Sequence, residues 1–281
     1  MKHVPVLLNS VINAIGDMRG LRIADCTFGA GGYSRAFLDS GASVVALDRD
    51  PNVIPDANEF AKKYGNMFRF ISAPFSSLDE IDGQFDAIVF DLGISSMQID
   101  VASRGFSFRY DAPLDMRMSE NGKTAADLIR EKSVDELAQI LREYGDVKKA
   151  NVIARAIKDA APKTTFELRD LVFNPRDIAP VFQALRIAVN DEFGEINRAL
   201  SCVPDKLKTG GKCICVTFHS IEDRIVKDTF RKWTTVAGDP RLPINHPAPF
   251  KLLKTATPDE TELGNNPRAR SAHMRGVIKT C

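Results

Sequence analysis

The 281-residue sequence predicts an α/β fold in which a parallel sheet is interrupted by a helical segment. Short apolar runs alternate with helix-like patterns through the first third of the chain. Between about residues 124 and 177 no run typical of a strand occurs, and helical spacing takes over. Hydrophobic residues make up 44% of the chain and charged residues 27%, which suits a packed core and excludes wholesale disorder.

The first third of the chain is predicted to contribute four strands. They cover residues 21–26, 44–47, 68–71 and 85–90. A glycine-rich turn, Gly29 to Gly32, follows the first strand, and a helix is predicted from Tyr33 to Leu38. Because parallel strands end at one edge of a sheet, we expect the residues that terminate these strands to converge there.

An inserted helical domain is predicted over residues 104–180, and a sheet domain over residues 1–103 plus 181–281. Ser133 and Glu136 form a capping box ahead of an apolar stripe, which predicts a helix there. Two shorter helices are predicted near residues 152–160 and 165–172. A single long helix is predicted over residues 182–200, because apolar residues recur there at steps of three and four.

The last quarter of the chain is predicted to complete the sheet. A strand over residues 212–218 ends at His219, and a helix over residues 221–233 follows with Ser220 as its N-cap. We expect residues 250–257 and 273–280 to pair as terminal strands. The proline-rich segment 238–249 between them is interpreted as a loop.

Charge, cysteine content and hydropathy restrict the class of protein. The 38 Lys and Arg residues against 37 Asp and Glu give a net charge of +1, which excludes a globally basic nucleic-acid binder but not a local basic patch. None of the five cysteines forms a CxxC pair, so neither a metal site nor a disulfide framework is expected. No membrane span or signal peptide is visible, so we expect a cytoplasmic protein without a membrane partner.

Acidic residues around the glycine-rich turn favour one class of cofactor. Asp48 lies 19 residues beyond Gly29, a spacing typical of a carboxylate that binds ribose hydroxyls. Asp25 ends the first strand, where its charge would repel a pyrophosphate and attract an ammonium or a sulfonium. S-adenosylmethionine carries both cations, so the pattern favours it over a dinucleotide. The alternative is a structural carboxylate beside a glycine turn in another kind of α/β protein.

Two further strand ends carry polar residues that can act on a substrate. Asp91 can bind a cofactor or orient a substrate amine, and His219 can serve as a general base or a substrate contact. Ordinary capping of a loop or a helix explains the same residues, and both interpretations stay open.

Arginine and phenylalanine residues interleave between residues 104 and 117, as they do where proteins contact phosphates and stack on unpaired bases. A structured loop with buried rings and ion-paired arginines explains this pattern equally well. The candidate RNA contacts in this segment and further along the chain are Arg104, Phe106, Phe108, Arg109, Arg117, Arg224, Arg268 and Arg270.

Nine blocks, in collinear order over nearly the whole chain, resemble one family, the MraW/RsmH-type ribosomal RNA cytidine N4-methyltransferases. The blocks are residues 3–8, 25–32, 48–50, 91–98, 104–108, 113–118, 182–190, 218–227 and 266–268. The sequence departs from the family pattern at Asn9, where an acidic residue is usual, and at Tyr33, where histidine is usual. Residues 147–149 and 176–180 also differ from that pattern.

The resemblance implies a class I, Rossmann-like methyltransferase sheet with an inserted all-α domain that recognises RNA. It implies methyl transfer from S-adenosylmethionine to the exocyclic N4 of a cytidine in the decoding region of small-subunit (16S) ribosomal RNA. The partner is then that RNA or the assembled small ribosomal subunit. A homodimer is compatible with the sequence, which does not fix the oligomeric state.

The resemblance also assigns residues to roles. Asp91, His219 and Asn266 become candidate catalytic residues, with His219 and Asn266 shaping a cytosine pocket. Asp25 and Gly29 are candidate cofactor-binding residues from the sequence around the glycine-rich turn. The family pattern adds further candidate cofactor-binding residues, namely Gly31, Gly32, Tyr33, Asp48, Phe75, Asp91 and Gln98.

Three other functions stay open at this point. One is a class I methyltransferase that acts on another RNA or on protein. A second is a ribosome-assembly factor that binds the cofactor and RNA without catalysing transfer. The third is a nicotinamide oxidoreductase, which Asp25 and the serine at position 34, where the dinucleotide fingerprint has glycine, disfavour.

Overall fold

The computed structural model describes residues 5–235 and 248–281. Its internal contacts divide the chain into two compact units. The sheet unit consists of residues 1–93 and 193–281, and the helical unit consists of residues 94–192. The predicted proline-rich loop, residues 238–249, lies almost entirely outside the described residues.

The sheet unit is built on seven strands in the described residues. They are β1 (Arg22–Asp25), β2 (Ser43–Asp48), β3 (Phe68–Ser72), β4 (Phe85–Asp91), β5 (Leu207–Thr217), β6 (Phe250–Leu252) and β7 (His273–Lys279). The strand order is β3-β2-β1-β4-β5-β7-β6. Neighbours among the first five strands pair in parallel, and β7 runs antiparallel to both β5 and β6.

The central strands are apolar on both faces, as expected for parallel strands that are covered on each side. All four strands predicted in the first third are confirmed. β5 begins earlier than the predicted residue 212, because Leu207 already pairs with Phe85 before a register shift interrupts the ladder. The terminal strands pair as predicted, but β6 is shorter than expected and ends at Leu252.

Helices cover the sheet and form the helical unit. In the described residues they are α1 (Leu8–Ile15), α2 (Gly32–Asp39), α3 (Ile54–Tyr64), α4 (Ser96–Asp100), α5 (Ala125–Glu131), α6 (Val134–Gly145), α7 (Ala150–Ala160), α8 (Thr165–Asp170), α9 (Pro175–Asn190), α10 (Glu192–Lys206), α11 (Ser220–Thr234) and α12 (Glu260–Asn265). A search of the described residues finds no helix with the length and apolar character needed to cross a membrane.

The single helix predicted over residues 182–200 is wrong. α9 ends at Asn190, and α10 starts at Glu192. Asp191 between them has a φ of 48°, a left-handed conformation that an uninterrupted α-helix cannot contain. The apolar period continues across the break because each helix buries a face, although α9 packs into the core of the helical unit and α10 into that of the sheet unit.

The helical unit forms its own apolar core from α5 to α9. Helix starts in this unit are fixed by side-chain caps, including the predicted box of Ser133 and Glu136. Thr124 with Asp127 and Thr164 with Glu167 form the same arrangement at α5 and α8. These local caps explain why three of the helices begin where the sequence places a Ser or Thr three residues before an acid.

Asn190 at the end of α9 joins that helix to the preceding loop. Its side-chain amide donates to the carbonyls of Met116 (2.7 Å) and Arg186 (2.8 Å) and accepts from the N–H of Met118 (2.7 Å). The end of α9 is therefore part of the helical unit. This contact explains why the unit extends to residue 192, past the predicted boundary after residue 180.

We expect Asn190→Ala to destabilise the protein by about 3 kcal/mol, because the buried Met116 carbonyl and Met118 N–H lose their partners. Urea unfolding monitored by circular dichroism measures this change. Asn197→Ala is the matched control, since Asn197 is exposed and its side chain donates to the Phe193 carbonyl of its own helix. Equal, small effects of the two substitutions would contradict this account of Asn190.

Candidate functional site

The glycine-rich loop, residues 26–32, crosses the carboxyl ends of the central strands. The Cys26 N–H donates to the Val89 carbonyl of β4, and the Phe28 N–H donates to the Leu47 carbonyl of β2, each at 2.9 Å. The loop is thus held to the strands on either side of β1. This is the edge where ligands bind in open α/β sheets.

The glycines of the loop serve two different purposes. A Cβ on Gly31 would lie 2.5 Å from the ring of Phe60, and one on Gly32 would lie 2.3 Å from the ring of Pro5. These two positions need glycine because protein atoms already fill the space. Among the residues that the structure describes, a Cβ on Gly29 would meet only the Thr27 carbonyl, at 3.9 Å, which leaves room for the approach of a ligand at Gly29.

Asp48, at the end of β2, holds the loop by its carboxylate. One oxygen accepts from the Gly29 N–H (2.8 Å), and the other accepts from the Asp50 N–H (2.9 Å). Burial raises the pKa of Asp48 above its usual value. Because each carboxylate oxygen has a second lone pair, Asp48 keeps acceptor capacity for further donors.

Asp25, the last residue of β1, is wholly buried, at 0% exposure. Its carboxylate accepts from the Ser34 hydroxyl (2.6 Å) and from the Thr27 N–H (3.3 Å). Burial raises the pKa of Asp25 to about 6, while the Ser34 hydrogen bond opposes that rise. Asp25 therefore acts on the site through its charge rather than through an exposed surface.

Asp91, at the end of β4, carries an unsatisfied oxygen. Its N–H donates to the Thr27 hydroxyl (2.7 Å), but its Oδ1 is buried and has no hydrogen-bond partner among the described residues. Burial raises the pKa of Asp91 well above its usual value, and the charges of Asp25 and Glu222 add to the rise. Such an oxygen requires a proton or an incoming donor.

His219 follows β5 and caps α11 through its ring, so the prediction that Ser220 is the N-cap is wrong. The His219 Nδ1 accepts from the Glu222 N–H (3.3 Å), and Nε2 lies 2.8 Å from Glu222 Oε1. The other oxygen of Glu222 accepts from the N–H groups of Phe218 (3.0 Å) and His219 (3.4 Å). The cap works because an imidazole nitrogen accepts the same N–H that a serine hydroxyl would.

Glu222 is a site residue that the sequence interpretation missed. It is fully buried, and its Oε1 would lie 3.6 Å from a Cβ on Gly93, two residues after Asp91. Its spacing of three residues from His219 is that of a capping box, the signal that predicts this position. Asp25, Asp91 and Glu222 together make the carboxyl edge of the sheet strongly acidic, which favours a cationic ligand and disfavours a pyrophosphate.

Three other candidates in the sheet unit occupy distinct places. Phe75 is half-buried after β3, with its ring 5.9 Å from that of Phe90. The buried Tyr33 points its hydroxyl into the protein, where it donates to the Val6 carbonyl. Asn266 follows α12, and its N–H donates to the Glu262 carbonyl (2.7 Å).

Several candidate residues in the helical unit have internal partners. The Gln98 side chain completes a capping box by accepting from the Ser95 N–H (3.0 Å). Arg104 donates to the carbonyls of Arg117 and Met118, both at 2.9 Å. Arg117 in turn donates to both oxygens of Asp115, at 2.7 and 2.8 Å.

The phenylalanines of this segment are also engaged inside the unit. Phe108 packs edge-on against Phe182 at 5.4 Å, and the ring of Phe106 lies beneath the guanidinium of Arg104. Of the two open interpretations, a structured loop accounts for the contacts of Arg104, Phe106, Phe108 and Arg117.

The other basic candidates are placed differently. Arg109, Arg224 and Arg270 are exposed, and the side chain of Arg268 lies outside what the structure describes. Within the described ranges, no three His, Cys, Asp or Glu side chains come together in a way that could hold a metal ion.

Comparison with known proteins gives the family. The MraW methylase family matches residues 1–280. Ribosomal RNA small subunit methyltransferase H of Mesorhizobium japonicum is 44% identical over 297 residues, which cover 100% of this chain and 88% of the relative. The protein of the same name from Sinorhizobium fredii is 45% identical over 300 residues, with the same coverage. Together with the collinear sequence blocks, this match establishes that the chain belongs to the MraW methylase family.

Proposed function

We propose that this protein transfers a methyl group from S-adenosylmethionine to the exocyclic N4 of a cytidine in the decoding region of small-subunit (16S) ribosomal RNA. The single observation that carries the proposal is the buried, unpartnered Oδ1 of Asp91 in the acidic edge of the sheet. Family membership supports the reaction class, and the names of the relatives support small-subunit ribosomal RNA as the substrate.

The residues at the sheet edge fit this cofactor. When bound, S-adenosylmethionine supplies the methyl group on a positively charged sulfonium. The open loop at Gly29 admits a ligand, and Asp48 can accept from ribose hydroxyls with its remaining lone pairs. The buried carboxyl groups of Asp25 and Glu222 favour positive charge at this edge of the sheet without exposing their side chains. Contacts of Phe75 and Gln98 with the cofactor stay predictions from the family resemblance.

The chain's own groups must orient the cytosine amine and remove a proton from it. The N4 lone pair is delocalised into the ring, so the amine is a weak nucleophile and its alignment matters. Asp91 Oδ1 is suited to accept the amine proton, because burial and neighbouring carboxylates raise the pKa of Asp91. The His219 ring is held at Nδ1, which accepts from the Glu222 N–H, and its Nε2 lies 2.8 Å from Glu222 Oε1. This placement suits a fixed wall of the pocket together with Asn266.

The target base must leave its stack before its amine can reach a reacting centre. We propose that the helical unit, residues 94–192, recognises the RNA, and that the exposed Arg109, Arg224 and Arg270 contact phosphates. The cytidine is present both in the free RNA and in the assembled small subunit, so the assay supplies each of them separately as the substrate. A homodimer also stays a prediction, which light scattering tests.

We expect Asp91→Asn to lower methyl transfer about 100-fold or more, because an amide cannot accept the amine proton. The assay uses small subunits, and separately their free RNA, from cells that lack this gene, with product nucleosides identified by mass spectrometry. Asp82→Asn is the control, since Asp82 is exposed. Near-normal turnover of the Asp91 variant would contradict the assigned role.

The wild-type result of the same assay separates the competing functions. N4-methylcytidine at one decoding-region position supports the proposal. A methylated nucleoside elsewhere would point to a different RNA substrate. No product, with cofactor binding intact, would point to an assembly factor.

Cofactor affinity should rise with pH. The pKa of Asp25 is about 6, so its carboxylate becomes ionised between about pH 5 and pH 7, and ionisation favours the sulfonium. We expect binding of S-adenosylmethionine to tighten by up to about tenfold over this range by calorimetry. S-adenosylhomocysteine, which lacks the sulfonium charge, should change less, and Asp25→Asn should flatten the difference. Equal pH dependence of the two ligands would contradict the electrostatic argument.

Arg109→Ala should affect RNA binding, whereas Arg117→Ala should affect stability. Arg109 is exposed, so its loss should weaken RNA binding and reduce the slope of log affinity against log salt by about 1. Arg117 is paired with Asp115, so its loss should instead lower the free energy of unfolding by about 1–3 kcal/mol. Fluorescence anisotropy and urea unfolding measure the two effects. An unchanged salt slope for the Arg109 variant would remove it from the RNA surface.

A further inference from the structure

The chain segment Pro5–Leu7 packs against the glycine-rich loop at Gly32. The Pro5 ring occupies the space that a Cβ on Gly32 would need, at 2.3 Å. Val6 and Leu7 are buried, at 5% and 2% exposure. Displacement of this segment would therefore uncover one side of the loop at Gly32.

Two side chains from distant parts of the sequence hold this segment. Glu262 Oε1 accepts from the Leu7 N–H at 2.5 Å, and the Tyr33 hydroxyl donates to the Val6 carbonyl. Leu7 has a φ of 56°, a left-handed conformation that is unfavourable for a residue with a Cβ and persists only when contacts enforce it. The residue is also the N-cap of α1, where its side chain makes no cap hydrogen bond.

Glu262 also connects this segment to a candidate catalytic residue. It lies on α12, a six-residue helix in which no residue is buried, so apolar packing does little to hold that helix in place. The Glu262 carbonyl accepts from the Asn266 N–H at 2.7 Å. Glu262 thus contacts Pro5–Leu7 through its side chain and Asn266 through its backbone carbonyl.

We propose that Glu262 is a positioning residue that, with Tyr33, holds Pro5–Leu7 against the glycine-rich loop and thereby sets both the cofactor pocket and the placement of Asn266. This inference rests on the proposed function, because it assigns the cofactor to that loop. The hydrogen bond between Leu7 and Glu262 connects the N-terminal and C-terminal parts of the chain. Neither the glycine-rich motif nor the strand-end carboxylates indicate this connection. Tyr33, where the family usually has histidine, supplies the second contact through its hydroxyl.

The test compares three variants of the full chain with the wild type. Glu262→Leu removes the acceptor for the Leu7 N–H. Glu262→Gln keeps an acceptor oxygen and removes only the charge. Glu260→Leu is the matched control, because Glu260 is exposed on the same helix. Calorimetry gives the dissociation constant for S-adenosylhomocysteine, steady-state kinetics give kcat and KM, and thermal unfolding gives Tm.

We expect Glu262→Leu to weaken cofactor binding about tenfold, the loss typical of one hydrogen bond to a charged acceptor. At saturating cofactor its kcat should also fall about tenfold, because the side-chain contact that fixes α12, and with it Asn266, to Pro5–Leu7 is lost, although the backbone hydrogen bond between Glu262 and Asn266 remains. Glu262→Gln should restore both quantities to within about threefold, and Glu260→Leu should match the wild type. A purely structural role would lower Tm without this pattern in binding, kcat and rescue.

A double-mutant cycle tests whether Glu262 and Tyr33 hold the same segment. Tyr33→Phe alone should weaken cofactor binding about threefold. In combination with Glu262→Leu its effect should be smaller than threefold, because the segment is already released. If Glu262→Leu does not fold, Tyr33→Phe decides the matter, and an unchanged dissociation constant for that variant overturns the proposal.

The outcomes separate this inference from the proposed function. A wild-type protein that binds no S-adenosylhomocysteine would refute the proposed function itself. Binding by the wild type that is equally tight in a folded Glu262→Leu variant would refute only the positioning role. Failure of Glu262→Gln to restore binding that Glu262→Leu has lost would likewise overturn it, since the acceptor oxygen is retained.

Discussion

Negative charge buried at the carboxyl edge of the sheet is the constraint on which the rest of the site depends. Asp25 and Glu222 are fully buried, and removing a carboxylate from water costs several kcal/mol per ion unless hydrogen bonds compensate. The surrounding chain supplies those donors: Ser34 and Thr27 serve Asp25, and the N–H groups after β5 serve Glu222. Loop conformation, helix start and charge selectivity are consequences of meeting this requirement.

The parts of the molecule that depend on local pattern were predictable from the sequence. The positions of β1 to β4 follow from apolar runs, and the spacing of 19 residues between Gly29 and Asp48 pointed to the end of β2 as part of the site. The convergence of Asp25 and Asp91 follows from parallel topology. These inferences required only the period of the sequence and the rule that parallel strands end at one edge.

Other features depend on tertiary contacts that no short window contains. The break at Asp191 is invisible to periodicity, because apolar residues continue in register into a different core. The use of His219 as a cap depends on the orientation of its ring. Glu262 accepts a hydrogen bond from the Leu7 N–H, although the two residues are 255 positions apart in the sequence. The arginine and phenylalanine segment was ambiguous for a related reason: guanidinium groups such as that of Arg104 bind backbone carbonyls as readily as phosphates.

The contact between Leu7 and Glu262 has a consequence for the order in which the protein matures. Chains are synthesised from the N-terminus, and contacts between residues 255 positions apart form only after both have left the ribosome. β1 to β4 and the glycine-rich loop are therefore synthesised first, and Pro5–Leu7 can contact Tyr33 well before Glu262 of α12 is available to accept from the Leu7 N–H. A chain truncated before residue 260 would keep the loop sequence and the Tyr33 contact but lack the Glu262 acceptor for the Leu7 N–H, so the full set of contacts on Pro5–Leu7 arises only late in synthesis.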